Sequence, residues 1–272
     1  MSTQGACNPL KIGIGIAGIL QPASIGGKKR DRSLQCLGNR VASARASQER
    51  TNMADDAQAS DTGATEHAWD QPEARAALFD KVAPYLESSG WFRSAHTRSS
   101  VDRAGNPLPW YTYSSIAFLR PRVKRRFKVF EFGSGNSSLW WAGRTTHVTA
   151  CEHEPKWADR MRPLLPQNVT YIHHPLEEDG AYARACADTG ETFDVIVIDG
   201  RDRVNCVKRS IDSLKSDGVV IWDNSNRPRY QEGIDLLTAR GFRNIAFRGH
   251  GPINGYETQT SIFYRPQNNL EI

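Results

Sequence analysis

From residue 129 onward, short apolar runs alternate with stretches in which apolar residues return every three or four positions. Short apolar or alternating runs predict strands, and the longer spacing predicts helices. Strands are expected at residues 129–132, 147–152, 168–173, 193–199, 219–224, 242–247 and 260–264. The fourth, Phe193-Asp-Val-Ile-Val-Ile-Asp199, is the plainest: apolar, β-branched and ending on an acid. Helices are expected from Asn136 to Ala142, from Glu154 with Pro155 in the first turn, through 211–214, and over 229–240. In the last of these Ile234 and Leu237 face inward, and Gly241 stops it. Alternating strand and helix, closed by a final strand pair, predicts a doubly wound, mostly parallel seven-stranded α/β sheet over residues 121–266.

Residues 70–120 are read as a helical cap ahead of this sheet. Ala74, Ala77, Leu78, Val82 and Leu86 recur at helical spacing behind Pro72-Glu73, and Gly90-Trp91-Phe92 ends the segment. Asn106-Pro-Leu-Pro109 forces a turn, followed by Trp110, Tyr111 and Tyr113 and a helical 116–119. The three aromatics serve either as packing between cap and core or as the lining of a site mouth.

Residues 1–55 lack periodicity and are rich in Ser, Gly, Ala, Gln and Arg, the composition of a disordered tail. Gly13-Ile-Gly-Ile-Ala-Gly18 matches a dinucleotide fingerprint literally, but no strand precedes it and Pro22 interrupts any helix after it. The apolar stretch 12–20 has only Lys11 ahead of it and a poor cleavage pattern, so it is not read as a secretion signal. Met53-Ala-Asp-Asp has the look of an ordinary N-terminus.

The chemistry-bearing stretch is Val129-Phe-Glu-Phe-Gly-Ser-Gly-Asn-Ser-Ser-Leu-Trp140. A strand feeds a turn with Gly133 and Gly135, where the backbone can approach a ligand, and a helix restarts at Asn136, Ser137 and Ser138 with capping side chains. Pyrophosphate is held at a helix start kept clear of negative charge. Glu131 stands just before this turn, and a third glycine is absent, so an ammonium-bearing ligand suits it better than a phosphate. Glu152 ends the second strand 21 residues after Glu131, a placement suited to accept ribose hydroxyls. Asp199 and Asp223 end the fourth and fifth strands, so four acids gather where a doubly wound sheet binds its ligand.

Composition narrows the reading. The formal net charge is +5, and Lys11, Lys28, Lys29, Arg30, Arg32, Arg40, Arg45 and Arg50 against Asp31 and Glu49 place it in the tail. The sheet domain is therefore close to neutral, and no nucleic-acid partner is expected. The basic run Arg120-Pro-Arg-Val-Lys-Arg-Arg-Phe-Lys128 is read as a solvated linker. No apolar run approaches the ~18 residues of a membrane span. Five cysteines, odd in number and without C-x-x-C pairs, indicate a reducing, cytoplasmic setting.

The stretch Glu131-Phe-Gly-Ser-Gly-Asn-Ser137 resembles motif I of the class I S-adenosylmethionine-dependent methyltransferases, with Ser137 where many members carry a third glycine. The resemblance covers residues 105–265. It implies a Rossmann-like methyltransferase fold, with Glu131, Gly133, Ser134, Gly135, Asn136 and Ser137 around the methionine end of the cofactor. It further implies Glu152 on the ribose, His153 beside the adenine, and Asp199 near the cofactor amine or the substrate. Asp199 with Asp223 and Asn224 is similar to the magnesium-holding trio of catechol O-methyltransferase-like enzymes. Gly200-Arg201-Asp202 lacks the lysine that those enzymes use as base. Glu152-His-Glu-Pro-Lys-Trp157 with Ile198-Asp-Gly-Arg201 resembles sugar-directed methyltransferases of the glucuronoxylan 4-O-methyltransferase-like group. An O-methyl transfer to a small molecule or saccharide is the expected activity, with Asp199, Asp202 and His250 as the candidate catalytic groups. A non-catalytic nucleotide-binding domain and an NAD(P)-dependent oxidoreductase are the alternatives.

Overall fold

The computed structural model describes residues 68–272; the expected tail and its Gly13–Gly18 motif lie outside them. Seven strands form one sheet in the order β3-β2-β1-β4-β5-β7-β6. They are β1 (Lys128–Phe132), β2 (His147–Glu152), β3 (Val169–His173), β4 (Phe193–Ile198), β5 (Leu214–Asp223), β6 (Arg243–Gly249) and β7 (Thr258–Tyr264). Pairings among β1 to β5 are parallel, while β7 runs antiparallel to both β5 and β6. The strand order reverses between β1 and β4. In such sheets that switch point opens a crevice at the carboxyl ends of the strands.

Alternation along the strands divides the core in two. Phe130, Phe132, Ile196, Ile198, Val220 and Trp222 point to one face, with α6 (Ala181–Asp188), α7 (Arg203–Ser210) and α8 (Gln231–Ala239). Val129, Val148, Val195, Val197 and Ile221 point to the other, against Ile116 and Leu119 of α3 (Tyr113–Leu119) and Trp140 and Trp141 of α4 (Asn136–Ala142). Covered on both faces, β4 has all six residues buried, which is why it reads as a continuous apolar run.

Several expectations are corrected. Residues 211–213 form a separate turn after α7, and Leu214 already opens β5, so the strand begins ahead of Asp217-Gly218. Helix α6 was not anticipated. The C-terminal residues, which carry no periodic pattern, are packed: Asn269 donates to the Asp194 carbonyl at 2.8 Å, and Leu270 is buried. In the cap, α1 (Pro72–Ser89) ends at Gly90, whose φ of 86° suits glycine, and α2 (Trp91–Thr97) follows at once. Of the residues in α1, only Leu86 is buried. Among the described residues, no helix is long and apolar enough to cross a membrane.

Two glycines lock the crevice. Gly133 has φ +94°, and its N–H donates to the Cys151 carbonyl at 2.8 Å. Gly200 lies against it: a Cβ there would stand 3.0 Å from the Gly133 nitrogen and 1.8 Å from the Tyr182 hydroxyl. Tyr182 is fully buried and cannot swing aside. Gly200→Ala is therefore expected to destabilise the fold by about 1–3 kcal/mol through overpacking. A denaturation midpoint equal to that of the wild type would refute this close approach.

Candidate functional site

Glu131 is the fourth residue of β1, paired beside Ala150 and Val197, which carries its side chain to the α4 face of the sheet. The carboxyl is buried. Oε2 accepts a hydrogen bond from the Ser138 hydroxyl at the start of α4, and Oε1 has no partner among the described residues. Burial pushes this acid up to about 8; the Ser137 and Ser138 hydroxyls oppose the rise, and the charges of Asp199 and Glu152 add to it. A buried carboxyl with an open oxygen lacks a cationic or hydrogen-bonding partner.

Glu152 ends β2 and is also buried. Oε1 accepts from the His153 and Glu154 backbone N–H groups at 2.9 and 3.0 Å, which fixes the carboxylate plane. Oε2 accepts from the Ser134 hydroxyl at 2.8 Å, and the Tyr171 hydroxyl lies 2.8 Å from the same Ser134 oxygen. A carboxylate oxygen has two acceptor sites, so Oε2 retains one. The His153 ring nitrogen Nδ1 is 2.9 Å from Oε1 but outside hydrogen-bond geometry, and the ring packs edge-on against Tyr182. Trp157, in α5 (Pro155–Met161), donates its indole N–H to the Ser134 carbonyl at 2.8 Å and is 40% exposed, so an indole flanks the Gly-rich turn. Gly135 has an extended backbone, and a Cβ there would meet only Trp157, at 3.8 Å. Asn136 instead reaches the cap, donating to Ser99 Oγ at 3.0 Å and to the Ser100 carbonyl at 2.7 Å.

At the ends of β4 and β5, Asp199 and Asp223 share one cation. Arg203 is buried; its Nε donates to the Gly200 carbonyl at 2.9 Å, and Nη2 to the Asp199 carbonyl at 2.8 Å and Asp199 Oδ1 at 3.1 Å. Nη1 donates to the Asp223 carbonyl. Thr260 Oγ1 donates to Asp223 Oδ1 at 2.7 Å. Burial raises both acids, Asp223 to about 8 with the neighbouring Asp199 charge adding to it, while Arg203 holds both down. Tyr111 is wholly buried, and its hydroxyl is raised by burial and then by the charges of Glu131 and Asp199. One tyrosine hydroxyl thus lies within the field of both acid groups.

Two cavities of about 380 and 370 Å³ lie elsewhere, against α1, α3 and the outer side of α4. None of the strand-end acids lines either one.

No protein-family model matches the chain, and no curated protein matches it. Among solved structures it is similar to a putative O-methyltransferase from Klebsiella pneumoniae, at 18% identity over 70% of this chain and 96% of that one, with a TM-score of 0.47. It is also similar to a precorrin-6y C5,15-methyltransferase from Geobacter metallireducens, at 13% identity over 56% and 86% of the two chains and a TM-score of 0.42. A putative methyltransferase from Streptococcus mutans, solved in complex with SAH, is 12% identical over 56% and 96%, with a TM-score of 0.41.

The remaining predicted residues are not drawn into the cluster in the same way. Asp202, at the start of α7 with φ 47°, accepts from the Asp179 N–H at 2.8 Å and from Asn205 Nδ2 at 2.9 Å, so both its oxygens hold structure together. The His250 side chain is exposed, while its carbonyl accepts from the Tyr113 N–H at 2.8 Å. Asp199, Asp223 and Asn224 do not fit a magnesium ion. Both Asp223 oxygens already accept hydrogen bonds, Asn224 donates its amide to one of them, and the Arg203 guanidinium occupies Asp199 Oδ1. Among the described residues, no group of three or more His, Cys, Asp or Glu could hold a metal. Sequence reasoning missed Arg203, for which the available signal was a basic residue four positions after a strand-end acid.

Proposed function

We propose that this chain is an S-adenosylmethionine-dependent methyltransferase acting on a hydroxyl of a small molecule or saccharide. The observation that carries the reading is the unpartnered, buried Oε1 of Glu131 beside an open glycine turn, with a second buried acid, Glu152, at the next strand end. Neither acid has a lysine or arginine partner, so the crevice suits a ligand that brings its own positive charge and its own hydroxyls.

The residues fit the cofactor in this way. Glu131 Oε1 receives the ammonium group, and the main chain at 133–135 leaves room for the methionine end. Glu152 Oε2 uses its remaining acceptor site for a ribose hydroxyl, beside the bond it accepts from Ser134. His153 and Trp157 flank the space beside the turn, where a base would lie. When bound, the cofactor supplies an electrophilic methyl group, and the chain's part is to align the acceptor and take its proton. Asp199 is the candidate for that proton: Oδ1 is held by Arg203, Oδ2 has no partner among the described residues, and the side chain is 23% exposed. Its pKa, raised by burial, brings it nearer the range useful to a general base. Asp202, committed to Asp179 and Asn205, acts in positioning the 179 loop, and the His250 side chain stays exposed.

The full chain is tested by thermal unfolding with S-adenosylhomocysteine and, separately, NAD⁺. A ligand at ~100 times its dissociation constant adds about 2.7 kcal/mol of stability. A shift with S-adenosylhomocysteine alone, lost in Glu152→Ala, is expected. A shift with NAD⁺ only would overturn the cofactor assignment.

A further inference from the structure

Helix α1 is 18 residues long and buries one of them, Leu86. Its large apolar side chains face out: Leu78, Phe79 and Val82 are each 49% exposed and Tyr85 is 60% exposed. Phe92 of α2, 38% exposed, extends the same patch by an edge contact with Phe79 at 6.2 Å. These five side chains each leave on the order of 100 Å² uncovered, against a full area of 150–250 Å² for an aromatic. The sum, about 500 Å², is near the upper limit of what a monomer leaves as its largest apolar patch. A helix gains most of its stability by burying an apolar face, and this one buries little.

The pattern is symmetric about Val82. Leu78 and Phe79 stand four and three residues before it, and Tyr85 and Leu86 three and four after it. An antiparallel pair of α1 helices crossing at Val82 therefore sets Val82 on Val82 of the second copy. Phe79 then falls level with Tyr85 of the second copy; Leu86, level with Leu78, is buried in its own chain and takes no part in the seam. Lys81 comes level with Ala83 and Asp80 with Pro84, so no like charges are opposed. Of the other charges on the helix, Arg75 pairs with Asp70 and Glu87 with Arg103, and Glu73 lies in the first turn, away from the crossing. A self-complementary patch is what a two-fold interface requires. About 500 Å² per partner places the pair among small interfaces, below the ~800 Å² per partner of a standard one, so the dimer is expected to form toward the upper end of the concentration range.

We propose that α1 is a dimerisation helix, pairing antiparallel with α1 of a second copy of this chain about Val82. The full-length protein, followed by light scattering from micromolar to millimolar concentration, is expected to become a dimer toward the upper end of that range. Val82→Glu sets two carboxylates against each other on the axis and is expected to weaken the dimer at least about a hundredfold, as at an interface hot spot. The variant should keep its far-ultraviolet circular dichroism, because Val82 supports little of the monomer core. In a Cys7→Ser, Cys36→Ser background, Val82→Cys is expected to form an intermolecular disulfide on mild oxidation, and Lys81→Cys far less. A monomer at every concentration would overturn the proposal, as would a dimer indifferent to Val82→Glu or one that Val82→Cys fails to cross-link. Strong hydrogen-exchange protection of α1 in a monomer would show instead that the same chain covers it, which also overturns the pairing.

Discussion

Arg203→Met is expected to destabilise the protein by about 3–5 kcal/mol, as when one partner of a buried ion pair is removed. The guanidinium reaches the carbonyls of Asp199, Gly200 and Asp223, so it ties the ends of β4 and β5 together. It is also the cation that offsets the Asp199 and Asp223 carboxyls. Methionine fills similar space but leaves three carbonyl oxygens without that donor and two acids without a counter-charge. The loss should grow with pH. At acidic pH Asp223, raised to about 8, is protonated in the folded state and needs little compensation; as pH rises it must either ionise unpaired or hold its proton at increasing cost, and Asp199, raised in the same direction, adds to the loss. Arg203→Lys is expected to rescue only partly, since an ammonium cannot span three carbonyls as the planar fork does. Denaturant unfolding at pH 5 and pH 8 measures both statements. A loss under about 1 kcal/mol at pH 8 would show that the staple is dispensable, against the usual cost of breaking a buried pair.

How far the chain discloses this site depends on what each residue contacts. β4 was legible because burial on both faces leaves an unbroken apolar run. The turn at 133–135 was legible because its conformation demands glycine at Gly133, although Gly135 is extended and keeps no such demand. Strand ends were legible as acids in sequence, and three of the four, Glu131, Glu152 and Asp223, are nearly fully buried. What stayed hidden is set by tertiary contact. Arg203 looks like one more helix cation until β5 is placed beside β4. Asp202 looks like a base until the Asp179 N–H is found on it. Apolar spacing in α1 predicts a core-facing stripe, but period alone cannot say whether the covering surface belongs to this sheet. The C-terminal residues have no periodicity at all, and they are held by Asn269 on β4 and Asp217.

Glu131 should govern both the pH dependence of stability and the binding of a cationic ligand. Its carboxyl is pushed from the ordinary 4.5 up to about 8, chiefly by burial. Between those values the folded chain holds a proton that the unfolded chain has released. Stability of the ligand-free protein therefore falls as pH rises through this window, by about 1.4 kcal/mol per pH unit from this group. Below about pH 4.5 both states are protonated, and the contribution is constant. Asp223, also raised, slopes the same way, so Glu131→Gln should reduce the slope without abolishing it. An ammonium-bearing ligand reverses the balance, because its charge beside Oε1 favours the carboxylate. Binding of S-adenosylmethionine near pH 7 should then release a proton, and its affinity should rise toward pH 8 and level off above. In Glu131→Gln that pH dependence should vanish, with an affinity loss of about a hundredfold, the scale for removing one partner of a buried charge pair. Calorimetry in buffers of different ionisation enthalpy counts the proton directly. An affinity that is flat from pH 6 to 9 in the wild type would mean that Glu131 does not meet the ligand's charge. If the stability slope also persisted unchanged in the glutamine variant, the raised acidity of Glu131 itself would be disproved.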